Sequence, residues 1–97
     1  MMLEKVKHEI ELMQRHIVIL RAVVASQPIG IMKLSEQLNL PFHRIRYSLR
    51  VLEQMGYIRA SPSGAMATRQ AEELLQHLNE GLDEMIVLLT SMKTNGG

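Results

Sequence analysis

Arg44, Arg46 and Arg50 fall within seven consecutive residues, interleaved with Ile45, Tyr47, Ser48 and Leu49. An arginine can bridge the O6 and N7 acceptors of guanine with two hydrogen bonds, and a DNA major groove admits one α-helix. The charge around these residues is segregated. Residues 41–70 hold five arginines (44, 46, 50, 59 and 69) against Glu53, a net +4. Residues 71–92 hold Glu72, Glu73, Glu80, Asp83 and Glu84 and no Lys or Arg, a net −5. The total is only +1, from 11 Lys+Arg and 10 Asp+Glu, so bulk charge does not suit the chain to coating nucleic acid. The middle segment suits a polyanion and the tail something else; two solvated helix faces would give the same distribution.

Other chemistries lack their residues. There is no cysteine, which removes disulfides, thiolate catalysis and Cys-based zinc sites. His8, His16, His43 and His77 form no i,i+4 pair, so no metal site is expected. Glu72-Glu73 and Asp83-Glu84 are adjacent pairs, which diverge around a helix and do not share a face. No phosphate-cradling glycine loop or nucleophile elbow is present. The expectation is a protein without catalysis and without a cofactor. The aromatics are Phe42, Tyr47 and Tyr57, too few for a single-strand stacking platform. Eight methionines read as core filler. The longest apolar run, Met85 to Leu89, is far short of the ~20 residues that cross a bilayer. Acids stand where a signal peptide would be apolar, so a soluble, cytoplasmic protein without a membrane partner is expected.

With 97 residues, 46% of them hydrophobic, one domain with a real core is expected over 1–97. Its elements must position the arginines. Leu3, Val6, Ile10, Met13, Ile17, Leu20 and Val24 alternate at spacings of three and four, which predicts a first helix over 2–25. Pro28 and Gly30 end it. A short helix over 31–38 follows, then Asn39, which tolerates the left-handed conformation of a tight turn. A third helix over 41–55 has Pro41 in its first turn, Ile45, Leu49, Leu52 and Met55 as its buried stripe, and Gly56 beyond its end. Residues 57–67 flank Ser61-Pro62-Ser63-Gly64 and predict a β-hairpin, its Ala-rich second strand being a poor strand former. Thr68 caps a last helix over 69–92, in which Ala71, Leu75, Leu78, Leu82, Met85, Leu89 and Met92 make a second heptad seam. Gly81 inside it costs about 1 kcal/mol relative to Ala. Residues 95–97 are expected to fray.

The stretch PIGIMKLSEQLNLPFHRIRYSLRVLEQMGYI, residues 28–58, resembles the core of bacterial and archaeal winged helix-turn-helix regulators of the MarR, ArsR and PadR type. ATRQAEELL, residues 67–75, is similar to the segment that follows the wing in many of them, with Ala67 and Ala71 replacing its Leu and Gly. The resemblance implies a mainly α fold with a small hairpin wing. It implies a short strand at Ile29, a close helix crossing at Ser35, and Asn39 in place of the usual turn Gly. Leu40-Pro41 stands where a Ser/Thr cap is common, which removes a potential phosphate contact.

On this framework the third helix is the recognition helix, and its outward face holds Phe42, His43, Arg44, Arg46, Tyr47 and Arg50. Residues near such a helix's N-terminus reach base edges, so His43, Arg44 and Tyr47 are expected to read bases and Arg46 and Arg50 to hold phosphates. Phe42 is read chiefly as a packing residue. The hairpin tip carries no base, so the wing is expected to contribute at most through Arg59, Ser61 and Ser63 to phosphates.

Helices of this length would project beyond so small a domain, and one chain cannot easily bury both seams along their full length. A homodimer is expected through Leu75, Leu78, Leu82, Met85, Leu89 and Met92, supported by the first helix; the other reading folds the last helix back onto its own domain. Two recognition helices about 34 Å apart would then read a palindromic site in double-stranded DNA. The alternative function is a winged-helix protein-interaction module without DNA. An abundant chromatin-coating protein conflicts with the +1 charge. No small-molecule effector, operator or direction of regulation is implied by the sequence.

Overall fold

The computed structural model describes residues 1–94; the expected fraying of 95–97 falls outside them. The described residues form α1 (Met2–Ser26), α2 (Ile31–Leu38), α3 (Phe42–Gln54), β1 (Ile58–Ser61), β2 (Gly64–Ala67), α4 (Arg69–Gln76) and α5 (Leu78–Ser91). The mainly helical fold with one small hairpin is the expected architecture.

The two halves of α1 behave differently, as their residues dictate. The C-terminal half sinks Ile19, Leu20 and Val23 completely into a core shared with Leu34 of α2, Ile45 of α3 and Ala71 of α4. Burying a Leu or Ile side chain of this kind stabilises the fold by about 1.5–3 kcal/mol. Residues 1–11 find no such neighbours and are all exposed. At 1.5 Å per residue α1 is about 38 Å long, which exceeds the 27 × 22 Å section of the molecule. The helix therefore projects as an arm.

The chain reverses between α2 and α3 on Asn39, which adopts the left-handed conformation at φ 53°. The Ser35 hydroxyl donates to the Leu40 carbonyl across this turn. Pro41 is not inside the first turn of α3 but is its N-cap, extended at φ −68° and ψ 153°. Its carbonyl accepts from the N–H groups of Arg44 and Ile45. The buried line of α3 is Ile45, Ser48 and Leu52. Met55, expected on that line, is 59% exposed because it lies past the last helical turn. Gly56 follows at φ 85°, a left-handed position that glycine fills without steric cost.

The hairpin pairs Ile58 with Ala67, Arg59 with Met66, Ala60 with Ala65 and Ser61 with Gly64. Its Ala-rich second strand is held from both sides. On the far edge Ile29 and Ala65 exchange two backbone hydrogen bonds, of 3.2 and 2.8 Å. The Gln27 side chain also accepts from the Ala67 N–H at 2.8 Å. Gly64 lies so close to this isolated bridge that a Cβ there would meet the Ile29 backbone at 2.6–2.8 Å.

Thr68 caps α4 as expected, its Oγ1 accepting from the Ala71 N–H. The single helix expected over 69–92 is instead two, divided at His77 (φ −105°, ψ 8°). His77, Asn79 and Gly81 are weak helix formers crowded into five residues, and the division falls among them. Leu78, just beyond, is buried against its own chain.

Candidate nucleic-acid interface

His43, Arg46 and Arg50 stand at i, i+3 and i+7 on α3, so they share one line along its outer face, and all three are exposed. Arg46 and Arg50 line a shallow cleft of about 460 Å³ whose opposite wall is the hairpin, with Arg59 and Ser61. Three arginines from two elements thus line one cleft. Glu53, three residues beyond Arg50 on α3, also lines the cleft. Ser63 is exposed in the two-residue turn of the hairpin, outside this cleft.

Arg44 and Tyr47 lie on a different side of α3. Arg44 lines a separate cleft of about 620 Å³ with His8, Glu11 and Arg15 of α1. The Tyr47 ring lies 6.1 Å from that of His16, and the Arg15 guanidinium sits 5.9 Å from its centroid. The expected grouping of His43, Arg44 and Tyr47 therefore separates, because successive helical residues point about 100° apart. Phe42, read chiefly as a packing residue, stands at the start of α3 with 46% of its surface exposed.

Beneath Tyr47, Ser48 is wholly buried and joins α3 to α1. Arg15 Nε donates to Ser48 Oγ at 3.2 Å, and His16 Nδ1 lies 2.8 Å from the same oxygen. With the hydroxyl accepting from Arg15, its own proton can be donated to His16 Nδ1. Burial, and secondarily the charge of Arg15, hold the His16 pKa below the usual 6.5. Arg15, His16 and Ser48 belong to no motif. The signal in the sequence is Ser48 lying between Ile45 and Leu52 on a helix otherwise buried through apolar side chains.

Of the residues expected at a subunit interface, two are occupied within the chain. Leu75 packs against the core and Leu78 is buried. The bend at His77 turns the rest of the seam away from the body. Leu82 is half-buried, and Met85, Leu89 and Met92 are progressively more exposed. Among the described residues no three His, Asp or Glu side chains come together to hold a metal ion, and no helix is long and apolar enough to cross a membrane.

A helix, a tight turn and an exposed basic helix, backed by a long first helix and flanked by a hairpin, define a winged helix-turn-helix DNA-binding domain. Residues 12–82 match the family model of the CggR N-terminal DNA binding domain, and the chain belongs to that family. The match makes this a DNA-binding regulator domain and does not bear on the MarR, ArsR or PadR groups. It leaves the N-terminal arm of α1 and most of α5 outside the matched span. No curated protein matches the chain.

Proposed function

We propose that the protein is a sequence-specific, double-stranded-DNA-binding transcriptional regulator that acts in the cytoplasm as a homodimer, with α3 in the major groove. The observation that carries this reading is the convergence of Arg46 and Arg50 with Arg59 on one exposed cleft. His43 and Arg46, nearer the N-terminal end of α3, are assigned to base edges. Arg50 and Arg59 are assigned to phosphates, and Ser63 adds a hydroxyl donor at the wing, while the Ser61 hydroxyl donates to the Gly64 carbonyl at 2.7 Å. Arg44 approaches the phosphates from the opposite flank, beside Arg15 of α1. Phe42 and Tyr47 border the surface.

The homodimer is supported by apolar surface the chain leaves uncovered. Leu3 is 79% exposed on the arm of α1, and Val87 is 67% exposed on α5. The whole chain forms a single winged-helix unit in this reading, with α1 and α5 carrying the subunit contacts. No cofactor, metal or catalytic group takes part.

The test is a selection of genomic fragments by the purified protein, followed by fluorescence-anisotropy titration of the recovered sequences across salt. A recovered palindrome bound with a steep salt dependence is expected. Failure to bind any fragment, including those from the protein's own gene neighbourhood, overturns the reading. Occlusion of the Arg46/Arg50 face in the dimer would instead favour a protein-interaction module.

A further inference from the structure

Beyond Leu78 the seam continues through Leu82, Met85 and Leu89 of α5 to Met92 at its C-cap, at spacings of three, four and three. That series reads the same in both directions. Two copies of the helix laid antiparallel therefore bring every seam residue against another: Leu82 against Met92 of the partner subunit, and Met85 against Leu89 of the partner subunit. Parallel copies would also align the seam, so spacing alone does not choose between the two.

The charges do choose. Between residues 78 and 94 the acids Glu80, Asp83 and Glu84 all lie in the first half, and the sole base, Lys93, lies two residues past the end of α5 at Ser91. Parallel pairing sets the three carboxylates level with their own copies and Lys93 level with Lys93 of the partner subunit. Antiparallel pairing sets each lysine level with residues 80–84 of its partner, opposite charge against opposite charge, and opposes the two helix dipoles. Such exposed pairs contribute little energy each, yet like-charge against unlike-charge alignment sets orientation in paired helices.

Spacing agrees. In the antiparallel register the midpoint is Val87, nine residues from Leu78, where each helix leaves its domain. At 1.5 Å per residue the two departure points stand about 27 Å apart, on the scale of the roughly 34 Å between successive major-groove faces. Parallel pairing would bring them within about 10 Å, the distance between packed helix axes.

We infer that α5 is an antiparallel self-pairing surface whose occupant is the α5 helix of a second copy, in the register that places Leu82 against Met92 of the partner subunit. This rests on the homodimer proposed above. The chain has no cysteine, so single introduced thiols report contacts without background. Leu82→Cys and Met92→Cys proteins, made with different tags, are mixed and oxidised. The inference expects a mixed Leu82→Cys/Met92→Cys disulfide and little self-linking of either. Self-linking of each alone would show parallel pairing and overturn it.

Spin labels at Glu80→Cys, off the seam, avoid disturbing the packing. Antiparallel copies separate the labels by at least about 21 Å along the axis, whereas parallel copies hold them level. A sedimentation run on the unmodified protein separates the two layers of the argument. A monomer overturns the homodimer itself, and a dimer with level Glu80→Cys labels or no mixed disulfide overturns only the antiparallel α5 pairing.

Discussion

Arg59→Ala isolates the wing's electrostatic share of DNA binding. Arg44, Arg50 and Arg59 are the three arginines assigned to phosphates in each protomer, so a dimer neutralises about six phosphates and log K falls against log salt with a slope of about −5. Substituting Arg59 removes one contact per protomer and lowers the slope to between about −3 and −4. Raising salt from about 50 to about 200 mM then weakens the unmodified protein on the order of a thousandfold and the variant only about a hundredfold. The assay is anisotropy on a selected fragment and on a scrambled one. Both should show the same loss of slope, because phosphates carry no sequence. Arg46→Ala is the control: it should cost about 1–3 kcal/mol of discrimination at one base position in each half-site. An unchanged slope in Arg59→Ala would refute a phosphate contact by Arg59. The assignment drawn from the two clefts fails if Arg44→Ala, and not Arg46→Ala, relaxes specificity, since Arg44 would then be the base reader.

Further outcomes follow from the packing. His16 has a folded pKa below its unfolded value of about 6.5, so the unfolded chain binds the proton more readily and stability falls as the pH drops below about 6.5. Urea midpoints at about pH 8 and about pH 5.5 should differ by less in His16→Gln than in the unmodified protein. Gly64→Ala forces a Cβ against the Ile29 backbone at φ 132° and should destabilise by more than about 1 kcal/mol. Hydrogen exchange should show the Ile29 and Ala65 amides losing protection first. Leu34→Ala, wholly buried, should cost about 2–5 kcal/mol by thermal unfolding.

The order of elements was legible because it rests on local chemistry. Asn39 at the turn, Gly56 after α3 and Thr68 before α4 each perform the backbone task their side chains suit. The strand made by Ala65-Met66-Ala67 was hard to read, since its stability comes from Ile29 and Gln27, about 40 residues away. The division at His77 was also missed. A heptad series describes where apolar residues recur and is insensitive to one residue leaving helical geometry. The choice between Arg44 and Arg46 as the proposed base reader turns on a similar point. Distance from the helix N-terminus is visible in the sequence, whereas the side on which α1 packs is not, and that side sets Arg44 beside Arg15 of α1 while Arg46 faces the hairpin.

That packing also determines what the projecting arms can influence. Ile19, Leu20 and Val23 fix the C-terminal half of α1 in the core, and Arg15 and His16 fasten it to Ser48 in the middle of α3. The arm of α1 is the same continuous helix, so the arm and the recognition helix are joined by buried contacts and not by a flexible linker. The α5 arm instead leaves through the bend at His77, where α4 and α5 meet. Subunit contacts through α1 would thus fix the orientation of α3 directly, while contacts through α5 set the separation of two domains and leave their tilt to the bend. A regulator reading two half-sites needs both quantities defined. In the proposed homodimer the two arms would divide that work, because one is anchored beneath α3 and the other is attached at a break in the helix.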